Sequence, residues 1–459
     1  MSDVSEKKPS DTWTHDTFQI SRDLQRRAHM LIPGGCHTYA KGDDQYPVLA
    51  PGFIARGVGC HVWDVDGNEY IEYGSGNRAV GLGHAFPAVI AAVQRELPNG
   101  CNFVRPASIE VACAEQLLSL IQGAEMAKFC KDGSDATSGA IKIARAYTGR
   151  DMIALCGDHP FFSVDDWFIG TTAMDGGVAK AASDLSVKFN YNDLASAQAL
   201  FDRYPGRIAG VILEAARMDE PRDGFLHKLR DLCHANGALF IIDEMITGFR
   251  WDNGGAQQVY DIVPDLSTFG KALANGFSVS ALVGRREFMR LGGLDHTDKP
   301  RVFLLSTTHG AETHGLAAAI ATMQTYQNEP VIEQIYSRGE TLRKQIENVV
   351  ATHGLQDYIG VHGRPCCLLY STLDQDRRPS QAFRSLFLQE TIRRGVIMPS
   401  LVLNYSHSEA DIARTVDAID GALQVYRRAL EDGAEKYLVG RPSQLVYRRY
   451  NAPSGEKQQ

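Results

Sequence analysis

Residues 239–289 read LFIIDEMITGFRWDNGGAQQVYDIVPDLSTFGKALANGFSVSALVGRREFM. The apolar run at the start of this segment ends in Asp243, and Lys271 follows 28 residues later, directly after Gly270. A short apolar run without polar alternation is typical of a strand buried on both faces of a parallel sheet. Ligands of α/β proteins bind at the carboxyl ends of such strands. The segment therefore predicts a ligand site at one edge of a sheet.

The same type of strand recurs along the middle of the chain. Such strands are predicted at Met152–Cys156, Gly210–Leu213, Ala238–Ile242 and Val279–Val283. Helices that can serve as crossover connections are predicted between them, as at Ser138–Tyr147 and Leu226–His234. This alternation predicts an α/β domain with a largely parallel sheet.

The flanking segments have a different character. An amphipathic helix is predicted over Ser21–Leu31, and a hairpin over His61–Tyr73 with its turn at Asp66-Gly67. One long helix is predicted from Ala317 onward to Val350, and a final helix over Glu409–Glu431. The predicted organisation is an N-terminal segment of a smaller lobe at 1–85, a large domain at 86–325, a C-terminal small domain at 326–440 and a tail at 441–459.

Composition excludes several classes of protein. The 459 residues include 47 basic and 55 acidic side chains, for a net charge of −8, and no basic block appears, which argues against a nucleic-acid partner. No apolar run reaches the roughly 18 residues that a membrane span needs, and the first dozen residues lack the apolar core of a signal peptide. The nine scattered cysteines indicate reduced thiols, so we expect a cytoplasmic protein.

Asp243 and Lys271 together suggest a specific chemistry. Pyridoxal phosphate (PLP) needs a lysine that forms a Schiff base and a carboxylate that keeps the pyridine nitrogen protonated. Alone, each residue is a weak signal, because strand-end carboxylates are often structural and lysines beside glycine are usually surface charges. At this spacing and in this order, the two favour a PLP site.

The segment DEMITGFR…PDLSTFGKALANGFSVSALVGRREFM resembles the cofactor signature of class III PLP-dependent aminotransferases, in the branch that contains glutamate-1-semialdehyde 2,1-aminomutase. The resemblance extends over about residues 20–430. It implies fold type I, with a large domain around a mainly parallel sheet and a smaller α+β domain formed by the N- and C-terminal segments. It also implies that Lys271 is the Schiff-base lysine, that Asp243 is the partner of the pyridine nitrogen, and that Met245 packs against the ring.

A second matching segment is KDGSDATSGAIKIARAYTGR, Lys131–Arg150. Free amides at a helix N-terminus bind phosphate well, and the resemblance gives this role to Gly133 and Ser134. The alternative is a simple helix cap by Ser134 or Asp135.

A third segment is LSTTHGAETHG, Leu305–Gly315. The resemblance implies that Thr307, or Thr308 one residue on, contacts the phosphate of the neighbouring subunit's cofactor, which predicts a homodimer with shared active sites. The histidines of this segment could suggest a metal. Their order is not HExxH and no third ligand is indicated, so we expect no metal site here.

Further residues follow from the same resemblance. In CGDHPFFSVDDW, Cys156–Trp167, the side chain stacked on the ring is expected to be His159, or Phe161 if the loop shifts its register. Glu214 is expected near the cofactor, with a plain strand-end carboxylate as the alternative. Asn77 and Arg78 are expected where substrate and cofactor meet, where Arg78 either binds a substrate anion or caps a helix.

The N-terminal loop bears on substrate choice. PGGCHTYAKGDDQYP, residues 33–47, has Thr38 and Lys41 where the aminomutase has a serine and an arginine that hold a carboxylate. Lysine replaces a bidentate arginine poorly. The stretch MPSLVLNYSHSEADI also lacks the glutamate expected after its proline-serine pair.

These departures favour a ping-pong transaminase that uses a donor such as glutamate and a polar keto acceptor. We expect a keto-sugar or a related glycan or secondary-metabolite precursor, since the loop is rich in hydroxyls, amides and charges. The alternatives are an aminomutase, a β- or ω-amino acid transaminase and, from a different class, a non-catalytic binding protein on this fold.

Overall fold

The computed structural model describes residues 17–451. Within them, the strands are β1 Ile54–Val58, β2 His61–Asp64, β3 Glu69–Glu72, β4 Met126–Cys130, β5 Met152–Cys156, β6 Ser186–Phe189, β7 Ile208–Leu213, β8 Leu239–Asp243, β9 Leu266–Phe269, β10 Ser280–Gly284, β11 Ile359–His362, β12 Leu369–Thr372 and β13 Val396–Ile397.

The longer helices lie between these strands and at both ends of the described region. They are Gln19–Leu31, Pro87–Glu96, Ser108–Leu118, Gly133–Thr148, Leu194–Arg203, Phe225–Ala235, Thr313–Asn328, Val331–Thr352, Gln381–Arg393 and Glu409–Asp432. Single turns occur at Ser75–Arg78, Asp166–Ile169, Lys180–Ser183, Ala256–Val259 and Arg286–Met289. None of the helices in the described part of the chain is long and apolar enough to cross a membrane.

A seven-stranded sheet forms the centre of the large domain, in the order β4-β10-β9-β8-β7-β5-β6. The pairs from β6 to β9 are parallel, which confirms the predicted α/β class. Strand β10 runs antiparallel to both of its neighbours, β4 and β9. Because β10 alone is reversed, β4 runs in the same direction as the parallel strands.

This topology brings six strand ends to one edge of the sheet. All strands of the sheet except β10 finish there, since they share one direction: β4, β5, β6, β7, β8 and β9. The helix Gly133–Thr148 follows β4 and packs its buried face, which includes Ile141 and Ala144, into the core beside Ile153 of β5. Residues that follow these strands therefore meet at the edge where α/β proteins bind ligands.

The chain divides into two compact units. One contains the described residues up to Ser75 together with Ile335–Val446, and the other contains Gly76–Gln334 and Tyr447–Asn451. The first unit holds a four-stranded sheet, β1-β2-β3-β13, and the pair β11-β12. Its mixture of sheets and helices is the α+β composition expected of the smaller domain, and the domain boundaries placed at 85/86 and 325/326 stay predictions beside these units.

Two sequence predictions need correction. The single helix predicted from Ala317 to Val350 is two helices, because Thr313–Asn328 ends before Pro330 and Val331–Thr352 begins after it. Proline disfavours the helical conformation of the residue before it and cannot donate its own backbone hydrogen bond. The predicted tail is also packed against other residues in its described part, 441–451. Ser443 is buried there, and its N–H donates to Ser385 Oγ at 2.7 Å.

Candidate active site

Asp243 ends strand β8 and is buried, with 3% of its surface exposed. Its Oδ1 accepts hydrogen bonds from the backbone N–H of Met245 at 3.0 Å and from the hydroxyl of Thr268 at 2.9 Å. Burial raises the pKa of Asp243, and the nearby positive charge of Lys271 opposes that rise. Both hydrogen bonds use the same oxygen, so neither of them occupies Oδ2.

The next residue, Glu244, is also buried but serves the backbone. Its carboxylate accepts from the N–H groups of Ala256 at 2.8 Å and Gln257 at 2.7 Å, at the start of a one-turn helix. The two adjacent carboxylates therefore have different environments, and Asp243 is the one coupled to Lys271.

Lys271 follows β9 and is partly buried. Its backbone is left-handed, with φ of 46°, which is strained for a side chain of this size. Burial lowers the pKa of Lys271, and the carboxylates of Asp243 and Glu214 partly offset the effect. Gly270 is required beside it, because a Cβ there would lie 2.4 Å from Ser280 Oγ and 2.6 Å from Met245 Sδ.

The predicted phosphate segment begins a helix at Gly133, earlier than the predicted start at Ser138. The cap is Asp132, whose side chain accepts from the N–H of Asp135 at 3.0 Å, and not Ser134 or Asp135. The amides of Gly133 and Ser134 are thus the first of the helix, where anions bind. Ser134 Oγ accepts from the N–H of Val164 at 3.0 Å, and a hydroxyl in that position can still donate its proton.

Met245 packs beside this helix start. It belongs to a small buried cluster with Cys130 and Ala136. A Cβ on Gly133 would lie 3.0 Å from Met245 Sδ, so a larger residue at 133 would crowd the space between them.

Glu214 directly follows β7 and is buried. Burial raises its pKa to about 7, and the charge of Arg217 counteracts part of that rise. The Nε of Arg217 lies 3.4 Å from Glu214 Oε2, which is an ion-pair distance without hydrogen-bond geometry. Glu214 and Lys271 are electrostatically coupled, and the predicted place of Glu214 near the cofactor stays a prediction.

His159 and Phe161, the two candidates for the stacked side chain, have different exposures. His159 is 6% exposed and Phe161 is 42% exposed. The Nδ1 of His159 accepts the N–H of Glu214 at 3.0 Å, and its ring lies 5.3 Å from that of Tyr191. Burial lowers the pKa of His159 to about 4, so the ring is neutral at physiological pH with its proton on Nε2. His159 is thus bound to the backbone of Glu214, and the stacking role of His159 or Phe161 stays a prediction.

Asn77 and Arg78 lie in a left-handed turn, with φ of 58° and 71°. Asn77 is exposed and Arg78 is half-buried, with its Nε atom buried and without a hydrogen-bond partner among the described residues. The charge of Arg78 lowers the pKa values of both Glu214 and Lys271, after the larger effects on each. Arg78 is therefore within electrostatic reach of the same residues.

Four predicted residues lie on exposed loops. Thr307 and Thr308 precede the helix Thr313–Asn328, and the backbone carbonyl of Thr308 accepts from Asn102 at 2.9 Å. Thr38 precedes a single 3₁₀ turn, Tyr39–Lys41, and Lys41 ends it, in the other compact unit. The contacts predicted for these four residues stay predictions.

The described residues around His309 include no group with metal-ligand geometry. The Nδ1 of His309 is 3.0 Å from Glu312, which also pairs with Lys131 at 2.7 Å. Within residues 17–451, the only group with metal-ligand geometry is Cys60, His61 and Asp411. In that group the carboxylate of Asp411 is already hydrogen-bonded to both Cys60 and His61.

Two residues at the edge were missed by sequence reasoning. Thr268 is paired in register with Asp243 across β8 and β9, so only the strand pairing identifies it. Arg217 stands three residues after Glu214, and a cation that close to a strand-end carboxylate was the available signal.

These residues fit PLP. A buried carboxylate suits a pyridine nitrogen, a lysine of lowered pKa suits covalent attachment, and the start of the helix at Gly133 suits a phosphate. Gly133 and Gly270 leave space on both sides of Met245 that a Cβ would fill.

The comparisons with known proteins agree with this reading. Residues 39–397 match the family model for class-III aminotransferases. The chain is 32% identical to 3-aminobutyryl-CoA aminotransferase of Cloacimonas acidaminovorans, with 89% of this chain and 98% of that protein covered. It is 31% identical to glutamate-1-semialdehyde 2,1-aminomutase of Desulforamulus reducens, with coverages of 91% and 99%.

Solved structures show the same fold. The PLP internal aldimine form of the FumI protein of Sphingopyxis sp. MTA144 superposes with a TM-score of 0.82 at 27% identity, over 90% of this chain and 97% of that one. An omega-transaminase from Sphaerobacter thermophilus gives a TM-score of 0.79 at 27% identity, with coverages of 89% and 98%. The fold is that of PLP-dependent enzymes of fold type I, and the cofactor is PLP. Within them, the chain belongs to the class-III aminotransferase family.

Proposed function

We propose that this enzyme moves an amino group from an amino-acid donor such as glutamate to a polar keto acceptor, by a ping-pong mechanism. The acceptor class we favour is a keto-sugar or a related glycan or secondary-metabolite precursor. The observation that carries the proposal is the set of coupled charges at one sheet edge, where Asp243 and Glu214 adjoin Lys271 and two arginines.

The residues that would hold PLP follow from this arrangement. Asp243 would keep the pyridine nitrogen protonated, Gly133 and Ser134 would bind the phosphate, and His159 and Met245 would contact the ring. Phe161 remains a weaker candidate than His159 because of its exposure. When bound, PLP supplies a carbonyl carbon that takes up an amine and a ring that withdraws electrons.

Lys271 is proposed as the residue that binds the cofactor covalently and then moves the proton. Its pKa is lowered by burial, so the free amine is available as a base closer to neutral pH. The Nζ atom would take the proton from the Cα of the donor and return one when the acceptor is converted.

The acceptor is proposed from the loop that carries Thr38 and Lys41. Both side chains are exposed, and the segment around them is polar. Lys41 presents a point charge, which suits hydroxyl and mixed polar groups better than the two parallel hydrogen bonds of a fixed carboxylate.

A homodimer is part of the proposal. Thr307 and Thr308 are exposed in the single chain, as they must be if they contact the phosphate bound by a second subunit. Light scattering that shows a fully active monomer would contradict this part. The nine cysteines, all of which are unpaired, support the proposed cytoplasmic location.

Two alternative activities are supported by relatives. An aminomutase is favoured by the likeness to glutamate-1-semialdehyde 2,1-aminomutase, and a β- or ω-amino acid transaminase by the likeness to 3-aminobutyryl-CoA aminotransferase. The changes at Thr38 and Lys41 argue against the aminomutase.

The test is a donor and acceptor screen on the holoenzyme. Purified enzyme is incubated with glutamate, alanine or 3-aminobutyrate, and with keto acids or nucleotide-linked keto-sugars, and the products are identified by mass spectrometry. We expect amino transfer from glutamate and negligible formation of 5-aminolevulinate from glutamate-1-semialdehyde. Efficient isomerisation without added donor or acceptor would establish the aminomutase, and the Lys271→Ala variant serves as the inactive control.

A further inference from the structure

Arg217 is a cation near Glu214 and Lys271. It stands three residues after Glu214, on the loop that follows β7, and its side chain is 29% exposed. Among the described residues it forms one ion pair, with Glu214, through Nε at 3.4 Å. Within residues 17–451, no side chain or carbonyl accepts a hydrogen bond from its terminal amino groups. Those donors are therefore available to a bound ligand.

The loop that carries Arg217 is anchored before and after it. The hydroxyl of Tyr191 donates to the carbonyl of Ala215 at 2.6 Å. Farther on, the side chain of Asn192 donates to the carbonyl of Glu220 at 2.9 Å and accepts the N–H of Arg222 at 2.9 Å. Arg217 is therefore presented from a positioned backbone, which lowers the entropic cost of ligand binding.

Arg217 and Arg78 are two cations near the same reactive residues. Both lower the pKa of Glu214, which burial raises, and both add to the lowering of the pKa of Lys271 by burial. Arg78 has a buried Nε atom with no partner in the described region. The two arginines and Lys271 are three basic groups beside two carboxylates, Glu214 and Asp243, so the basic groups outnumber the acidic ones.

We propose that Arg217, together with Arg78, selects a dicarboxylic amino donor, with Arg217 binding one of its two carboxylates. The inference rests on the proposed aminotransferase function and specifies the class of its donor. A planar guanidinium can give a carboxylate two parallel hydrogen bonds, and its charge is permanent. Because Arg217 keeps its terminal donors while Nε faces Glu214, it can bind a substrate carboxylate without leaving Glu214.

The competing interpretation is that Arg217 only neutralises Glu214. In that case its removal would leave a buried carboxylate without a counterion, and stability and cofactor retention would fall for every substrate alike. Replacing both residues, as in Glu214→Gln with Arg217→Met, would then restore stability. Binding of a dicarboxylate would not depend on Arg217.

The experiment compares Arg217→Met, Arg217→Lys and Arg222→Met in the PLP-loaded enzyme. Arg222 is a matched control, because it lies on the same loop with its side chain 71% exposed and 3.6 Å from Asp219. Steady-state kinetics give kcat/KM for glutamate relative to alanine. Calorimetry gives the Kd of succinate, an unreactive dicarboxylate.

For Arg217→Met we expect the glutamate-to-alanine ratio to fall roughly ten- to hundredfold, mainly through KM, as the loss of a hydrogen bond to a charged group predicts. Succinate binding should weaken by a similar factor, with partial recovery in Arg217→Lys. Arg222→Met should keep both values of the wild type.

An unchanged ratio, or an equal loss for both donors that the double variant reverses, would overturn the role of Arg217. Failure of the proposed function is distinguishable from this. If the wild type transfers no amino group from any amino acid, the aminotransferase proposal fails, and succinate binding still shows whether Arg217 selects dicarboxylates.

Discussion

This protein has two clusters of charged and polar side chains, and the carboxyl pKa values in the two clusters are shifted in opposite directions. The Lys271 cluster comprises Arg78, Glu214, Arg217, Asp243 and Lys271 at the edge of the seven-stranded sheet. The Asp411 cluster comprises Cys60, His61, Glu69, Ser408 and Asp411 in the other compact unit. The first has raised carboxyl pKa values, whereas the Asp411 carboxyl has a pKa well below its usual range.

Hydrogen bonding accounts for the difference. Burial alone would raise the pKa of Asp411, but donors from His61, Ser408 and Cys60 outweigh it. His61 contacts Asp411 through Nε2 at 2.8 Å and Glu69 through Nδ1 at 2.7 Å, so both of its nitrogens are used. In the Lys271 cluster, Glu214 Oε2 and Arg78 Nε are buried with no hydrogen-bond partner among the described residues.

The contrast distinguishes buried charges that stabilise the fold from buried charges that can take part in a reaction. A cluster whose donors and acceptors are all paired holds its charges in place, and a metal would have to break those bonds. A cluster with unpaired atoms costs stability and retains the capacity to bind a ligand and transfer protons. Substitutions in the Lys271 cluster should therefore lower the catalytic rate, and substitutions in the Asp411 cluster should lower stability.

Lys271→Ala should lower kcat by more than about 10³-fold, because it removes both the covalent attachment and the proton carrier. The fold should remain, since a partly buried charge is lost. The visible absorbance of the cofactor and thermal unfolding measure the two effects. Borohydride reduction and peptide mapping of the wild type should label Lys271, and a label on another lysine would refute the assignment.

Asp243→Asn should lower kcat by about 10²-fold or more while PLP stays bound, because an amide cannot hold the pyridinium proton. Single-turnover kinetics measure the rate of the proton-transfer step. Glu244→Gln is the matched control, since this adjacent carboxylate binds backbone amides. We expect Glu244→Gln to lower the free energy of unfolding and to leave the proton-transfer rate unchanged. Equal kinetic losses in the two variants would contradict the distinction.

Asp411→Ala should lower the free energy of unfolding by about 2–3 kcal/mol, because it removes a helix capping box and the partner of His61. Denaturant titration measures the loss, and kcat per folded enzyme should not change. Asp432→Ala removes an exposed partner of Lys436 and should cost less. A kinetic defect in the Asp411 variant without loss of stability would break the comparison.

His61→Gln should have the smallest effect, about 1 kcal/mol, and it should depend on pH. The hydrogen bond with Asp411 raises the pKa of His61 against burial, with Glu69 adding to it, while His407 lies near enough to be coupled. The stabilisation is therefore complete below the unfolded pKa of about 6.5 and is lost as pH rises through the folded value. Unfolding titrations of both proteins from pH 5 to 9 measure the difference, and a constant one would refute the charge on His61.

The fold could be predicted where its signals are local. The apolar strand that leads into Asp243 and the helix after Asp132 are marked by neighbouring residues, and both were placed within a few positions. The reversal of β10 could not be predicted, because a fully buried strand has the same apolar pattern in either direction. The break at Pro330 was marked in the sequence and overlooked.

The site residues could likewise be predicted only where their signals lie close together in the sequence. Asp243 and Lys271 are linked by their spacing along one segment, and their electrostatic coupling agrees with the prediction. Thr268 was missed because its role depends on the register of β8 and β9, which is a contact across strands. Arg217 was missed because no motif includes it, although it shares a loop with Glu214.

The reversal of β10 also affects how the chain assembles. Because β9 ends and β10 begins at the same edge, Lys271 lies in a short connection, 270–279, between two paired strands. Closing such a connection costs little chain entropy, whereas joining β7 to β8 requires a crossover through the helix Phe225–Ala235. The lysine that the chemistry needs is thus carried by the part of the sheet with the most local contacts, and the carboxylates by the part whose pairing is more distant along the chain.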